Sequence, residues 1–147
     1  MAGPKRRFNA MTATCPSREV LAHVADKWTV LILAVLTEDT TRFNELRRRV
    51  QGITQKVLTQ TLRDLERLGF VSRKIYAEVP PRVEYSLTPL GRSLVRVLDN
   101  VRDWADVHAG DVMTAMQRFE RAEAAKKARA AQQRFERQAA AKAQIRT

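Results

Sequence analysis

The run Thr54-Gln55-Lys56-Val57-Leu58-Thr59-Gln60-Thr61-Leu62-Arg63-Asp64-Leu65-Glu66-Arg67-Leu68-Gly69 constrains the fold most, because it carries two opposed chemistries at one helical period. Leu58, Leu62, Leu65 and Leu68 fall at i, i+4, i+7 and i+10, a single apolar stripe that must be buried. Gln55, Lys56, Thr59, Gln60 and Arg63 fall on the opposite side, polar and free of acid. These residue types hydrogen-bond base edges and phosphates: Arg and Lys to guanine, Gln to adenine, Thr to either or to a thymine methyl. The acids Asp64 and Glu66 stand only in the C-terminal half, and Gly69 supplies a left-handed stop. A solvated amphipathic helix would show the same two faces, so the flanking segments have to decide.

Upstream, Cys15-Pro16-Ser17 opens a first helix with proline at its first position and Val20, Leu21 and Val24 on one side. Asp26 closes that helix or caps the next. Lys27 to Leu36 is apolar nearly all round; its length and lack of turn residues favour a buried helix over a strand, with Trp28 in the core. Thr37 to Thr41 reads as a connector. Phe43 to Val50 makes a short helix with Phe43, Leu46 and Val50 inward, and Gln51-Gly52-Ile53 turns the chain into the run at Thr54. Two short helices joined through a glycine turn form the helix-turn-helix pattern. The triplet Arg47-Arg48-Arg49 is a solvated or phosphate-facing run, with Arg47 placed among the DNA-binding residues.

Past Gly69 the period changes to two. Val71, Arg73 and Ile75 alternate with Ser72, Lys74 and Tyr76; Glu78-Val79-Pro80-Pro81-Arg82 interrupts; Val83, Tyr85 and Leu87 resume. This is a β-hairpin with a proline-stiffened tip. The fold expected is therefore mainly α with a small β-hairpin, a winged helix-turn-helix, in which Arg73, Lys74 and Arg82 reach phosphates or the minor groove. Thr88-Pro89 caps another helix, whose stripe includes Leu94, Leu98, Val101 and Trp104. That stripe exceeds what a small core covers and reads as a dimerisation helix; folding back on its own core is the competing reading.

Residues 111–147 shift to Ala, Lys, Arg, Gln and Glu, and Gln117-Arg118-Phe119-Glu120-Arg121 recurs as Gln133-Arg134-Phe135-Glu136-Arg137. The two phenylalanines lie about 160° apart around a straight helix, which argues against a dedicated coiled coil. From Arg118 onward nine Lys or Arg face three Glu, about half of the formal net charge of +11. A solvated helix of this kind adds nonspecific attraction to phosphates. The organisation expected is a flexible basic arm over 1–14 carrying Lys5, Arg6 and Arg7, a winged-helix and dimerisation domain over 15–110, and a basic helical extension over 111–147. The single cysteine excludes an intrachain disulfide, the longest apolar run, Val30 to Leu36, is too short to span a bilayer, and no secretory signal opens the chain. A soluble cytoplasmic protein is the expectation.

In order and spacing, several blocks resemble the HxlR-type (DUF24) winged-helix transcription regulators, relatives of the MarR group. They are Cys15-Pro16, Lys27-Trp28-Thr29 with Leu31-Ile32-Leu33, Arg42-Phe43-Asn44-Glu45-Leu46, Gly52 to Leu58, Leu65 to Val71, and Val79 to Gly91. The resemblance covers roughly residues 15–108 and leaves the tail aside. It implies a homodimeric regulator that binds double-stranded DNA at an inverted repeat, and, in some members, a cysteine near the N-terminus that senses oxidants or electrophiles, at the place Cys15 occupies. Cys15 has a case from its own surroundings too: a thiol at a helix N-terminus near Arg18 has a lowered pKa and more thiolate. The competing reading is a small buried hydrophobe. No metal site is expected, since His23 and His108 are far apart in sequence with no ligand-spaced partners, and no catalytic or cofactor motif is present. Two other functions stand beside the regulator: a nonspecific nucleic-acid-binding protein driven by the tail, and a small redox enzyme using Cys15, which the lack of a resolving cysteine disfavours.

Overall fold

In the computed structural model, which describes residues 8–145, the helix at Thr54 is held between a helical layer and a small sheet. Lys5, Arg6 and Arg7 of the expected basic arm lie outside the described residues. The elements are α1 (Pro16–Val24), α2 (Lys27–Glu38), β1 (Thr41–Arg42), α3 (Phe43–Arg49), α4 (Gln55–Arg67), β2 (Val71–Tyr76), β3 (Arg82–Leu87) and α5 (Pro89–Ile145). This is the winged helix-turn-helix that the sequence predicts, mostly helical with a small antiparallel sheet. Along the chain it divides into two compact units between Arg102 and Asp103.

In the first unit, Asp26 resolves its own ambiguity by capping α2: its Oδ2 accepts from the Thr29 N–H at 3.1 Å. α2 buries Thr29, Ile32, Leu33 and Leu36, an i, i+3, i+4, i+7 face, while Leu31 on its far side is partly exposed. The run expected to be a buried helix is thus covered on most of its apolar positions, and Trp28, expected in the core, is half-buried at its edge. α3 contributes Leu46, and Gly52 at φ +84° makes the turn into α4. α4 buries Leu58, Leu62 and Leu65; Leu68 is half-buried. Gly69 at φ +76° then reverses the chain, so that the Phe70 N–H returns to the Leu65 carbonyl at 2.9 Å.

The wing pairs β2 with β3 from Val71↔Leu87 to Tyr76↔Arg82. Residues expected to be a plain connector supply a third strand: β1 pairs with β3, Thr41 opposite Tyr85, giving the order β1-β3-β2. Burial fades toward the tip. Val71 and Leu87 are buried at the base, whereas Ile75 is 58% exposed, so the alternation that marks β2 in the sequence is not a core face along its whole length.

At the base of the wing, Thr88 caps α5. Its Oγ1 accepts from the Gly91 N–H at 3.0 Å and donates to the Gly69 carbonyl at 2.6 Å. Within this unit α5 buries Val95 and Leu98, with Leu94 packed against the core. That corrects the dimerisation stripe: Leu98 at 7% exposure belongs to its own protomer's core, as the competing reading held for this part of the helix. Leu90, Val97 and Val101 are the apolar side chains that α5 leaves exposed here.

In the second unit the helix continues without a break at 110, and nearly every residue faces solvent. Trp104 stacks tilted on His108 with ring centroids 4.8 Å apart, and Phe119 and Phe135 are both exposed. No single described helix is long and apolar enough to cross a membrane.

One backbone approach makes the junction testable. A Cβ on Gly91 would lie 2.1 Å from the Phe70 carbonyl oxygen, a backbone atom that cannot yield cheaply. Gly91→Ala should lose roughly 1–3 kcal/mol, as overpacked sites do. Urea denaturation measures it; an unchanged midpoint would mean that α5 can slide on Phe70 without cost.

Candidate nucleic-acid interface

α4 starts on a capped turn. Thr54 Oγ1 accepts from the Val57 N–H at 3.2 Å, and no acid stands in the first turn. Because Leu58, Leu62 and Leu65 point inward, Gln55, Lys56, Gln60 and Arg63 are forced outward together, with Thr59 half-exposed among them. The structure thus brings all five predicted α4 residues onto one open face. Their freedom differs. The Thr59 hydroxyl donates to the Gln55 carbonyl at 2.8 Å, and Gln60 Nε2 donates to Asp64 Oδ2 at 3.2 Å. Lys56 and Arg63 have no hydrogen-bond or ion-pair partner among the described residues, which leaves both cations available.

The remaining predicted cations divide in the same way. Arg47 is exposed, whereas its neighbours are engaged: Arg48 with Glu45 at 2.8 Å, and Arg49 with Glu38. Arg73 lies 3.5 Å from Glu66, and Lys74 Nζ sits over the Tyr76 ring at 4.8 Å. Arg82 is held from three sides, by Glu78 and Glu84 at 2.8 Å each and by the Tyr76 ring at 3.8 Å from its guanidinium carbon. Arg42, not singled out from sequence, also reaches Glu84, at 3.7 Å. Sequence spacing puts Arg82 at the wing tip but could not reveal that two carboxylates fold over it.

Cys15 occupies the N-cap of α1 and is half-buried. Its Sγ lies 2.9 Å from the Ser17 Oγ. This hydroxyl contact is the largest influence holding the thiol below its ordinary pKa; partial burial pushes the other way, and the backbone N–H groups near Ser17 and Asn9 and the Arg18 charge add smaller lowering effects. The expectation placed the cause on the helix terminus and Arg18 and missed Ser17, although a Cys-Pro-Ser cap is legible as one.

Of the expected dimerisation residues outside the core, Val101 is 54% exposed in the first unit and Trp104 is 59% exposed in the second.

With this geometry in place, the comparisons are specific. The HxlR-like helix-turn-helix family model matches residues 23–113. The HTH-type transcriptional regulator YtfH of Escherichia coli (strain K12) is 46% identical over 114 residues, 78% of this chain and 89% of that protein. Among solved structures, the transcriptional regulator YtfH from Salmonella typhimurium aligns with a TM-score of 0.71 at 43% identity, over 76% of this chain and 99% of that one. The redox regulator HypR in its oxidized form aligns with a TM-score of 0.58 at 40% identity, over 63% of this chain and 96% of HypR.

The Ser17 contact predicts a kinetic signature. In Ser17→Ala, the pH at which Cys15 alkylation by iodoacetamide reaches half its plateau rate should move upward, because less thiolate is present at any given pH. An unchanged pH–rate midpoint would leave Ser17 without influence on the thiol.

Proposed function

The chain belongs to the HxlR-like helix-turn-helix family, a family of transcriptional regulators and not of enzymes, and from that membership we propose that it acts as a homodimer on an inverted-repeat operator and is switched by oxidation or electrophilic attack at Cys15. The observation that carries sequence-specific reading is the open face of α4, where Gln55, Lys56, Thr59, Gln60 and Arg63 stand together above the buried Leu58, Leu62 and Leu65. Arg47 on α3 and Arg73, Lys74 and Arg82 on the wing flank it as phosphate or minor-groove contacts, with Arg82 the most encumbered. Winged-helix dimers set two recognition helices about one DNA turn apart, so dimerisation is part of recognition. The exposed Val97 and Val101 of α5 support pairing within the first unit, and Trp104 adds an exposed aromatic in the second. The three-part organisation, with a basic arm, a domain over 15–110 and a helical extension, belongs to the same proposal, as does a cytoplasmic site of action.

Cys15 is the one cysteine of the chain, so two-electron oxidation has three outcomes: a sulfenic acid, a mixed disulfide with a small thiol, or a Cys15–Cys15 bridge between two protomers that passes two electrons to the oxidant. The partial exposure and the lowered thiol pKa support this reading, and the likeness to the redox regulator HypR accords with it. A second reading, nonspecific nucleic-acid binding, draws on the exposed basic helix beyond Arg118.

A titration on operator and scrambled duplexes over a range of salt separates them. A sequence reader keeps its preference for the operator as salt rises; a nonspecific binder has none. Gln60→Ala should cost roughly 1–3 kcal/mol on the operator and far less on the scramble. Val101→Glu should yield folded monomers that bind the operator poorly, a test that Leu98→Glu cannot make because it would bury a carboxylate in the protomer's core. Equal losses on both duplexes, or a Val101→Glu dimer, would contradict the reading.

The switch is tested with Cys15→Ser. It should hold the operator like wild type and keep holding it when diamide or a quinone is added. Release by the variant under oxidant would make Cys15 structural.

A further inference from the structure

Between α4 and the wing lies a notch of about 180 Å³, lined by Thr59, Leu62, Arg63, Glu66, Arg73 and Tyr85. Pockets for whole small molecules usually measure about 300–1,000 Å³, so the notch suits a single group rather than a molecule. Its chemistry is unbalanced. Arg73 has Glu66 at 3.5 Å, while Arg63 has no counter-charge among the described residues, which leaves one positive charge in excess. Its Thr59 hydroxyl is already spent on the Gln55 carbonyl. Tyr85 is different: the residue is only 9% exposed, it is held in β3 between two partner strands, and its hydroxyl has no hydrogen-bond partner among the described residues. Among the described residues no buried side-chain donor or acceptor lacks a partner, so this unpartnered hydroxyl is not itself buried: the ring is packed away while the O–H opens into the notch, where an outside acceptor can reach it. Burial raises the Tyr85 pKa, and the charges that act on its ring come from Arg73, Glu66 and Arg63, so the hydroxyl stays protonated and looks onto those groups.

We propose that this notch is a phosphate subsite, in which one backbone phosphodiester of bound DNA lies between the Arg63 and Arg73 guanidinium groups and accepts a hydrogen bond from the Tyr85 hydroxyl. The inference rests on the DNA-binding reading and gives it a residue that the recognition pattern alone does not name. It also divides the α4 face. Gln55, Lys56, Thr59 and Gln60 stand in the first two turns, on the side that would meet base edges, with Gln60 exchanging its bond to Asp64 to do so. Arg63, one turn further on and beside β2, holds the strand that borders the groove. Glu66 keeps Arg73 over the notch when no DNA is bound.

The full chain is titrated with an operator recovered by selection from random duplexes and with a scramble of equal length. Tyr85→Phe and Arg63→Gln should each weaken both duplexes about tenfold, the scale of a hydrogen bond to a charged acceptor. The log–log salt slope should fall by about one for Arg63→Gln. It should stay put for Tyr85→Phe, since a neutral hydroxyl releases no counterion. Wild-type affinity in Tyr85→Phe, or a loss confined to the operator, overturns the proposal. Should Tyr85→Phe melt early, a methylphosphonate scan replaces it. Neutralising one phosphate per half-site should then cost wild type about tenfold and Arg63→Gln clearly less, since only Arg73 and Tyr85 remain to hold it; a scan with no such position is a refutation. Inorganic phosphate titrated alone at constant ionic strength tests the other source: thermal stabilisation that both variants abolish would assign the notch to a free anion instead. If wild type prefers neither duplex while both variants lose equally on each, the sequence-specific reading fails and the phosphate subsite stands.

Discussion

The burial of Leu58, Leu62 and Leu65 fixes the rotation of α4, and almost everything else about this chain follows from that rotation. The three are at most 2% exposed and belong to the same core as Ile32, Leu33, Leu46 and Leu87. A turn of one residue about the helix axis would carry Lys56 or Arg63 toward that core, and an unpaired buried charge costs several times what a leucine contributes. The helix end is held as firmly as its face. Gly69 reverses the chain, the Phe70 N–H bonds the Leu65 carbonyl, and the Phe70 carbonyl accepts the Thr88 N–H at 3.1 Å while facing the bare Cα of Gly91. The end of α4 and the start of α5 are therefore tied through the two peptide groups of one residue, Phe70.

Charge is distributed more sparingly than a net +11 suggests. On the first unit many arginines are already matched: Arg48, Arg49, Arg67, Arg73 and Arg82 all face carboxylates at 4 Å or less. Exposed pairs of this sort add little stability, at most about 1 kcal/mol each. Their effect is on the potential: a paired arginine contributes little field beyond the Debye length, whereas Lys56, Arg63 and Arg47 contribute fully. Arg18, Lys27, Arg92 and Arg96 on other helices also lack a carboxylate partner among the described residues, so the unmatched charge includes the exposed face of α4 without being confined to it.

Much of this fold was legible because its signals are local. The leucine spacing of α4, the Asp26 and Thr88 caps, the two glycine turns and the proline tip of the wing each specify a conformation within a few residues. What was missed depends on partners distant in sequence. Thr41 and Arg42 become a strand only because Tyr85 and Glu84 lie opposite, and two residues carry no period of their own. Leu98 and Trp104 occupy the same apolar stripe, yet Leu98 is in the core and Trp104 is exposed; periodicity gives the stripe but not where the core ends. Arg82 reads as a free wing-tip cation until Glu78 and Glu84 are folded beside it. Among the candidate sites, the α4 face was legible in full, because outward residues are fixed by inward ones, while the notch at Tyr85 was not, because it joins a helix to a strand twenty residues away.

The position of Cys15 bears on how the proposed switch could act. α1 has no fully buried residue, unlike α2, α3 and α4, so little apolar contact resists its displacement. Its links to the recognition helix are polar: Arg67, at the C-terminal end of α4, lies 3.4 Å from Glu19 and reaches the His23 ring at 3.3 Å. Contacts this exposed are worth too little to drag a helix whose own leucines are buried. Oxidation at Cys15 would therefore not act by rotating α4 within its protomer. In a dimer the same change has more leverage, because two recognition helices must match successive grooves, and a modification that shifts how α1 lies against a partner changes their separation without disturbing either core. A thiol sensor on the most loosely packed helix accordingly fits a regulator that alters the spacing between two intact reading heads rather than the structure of one.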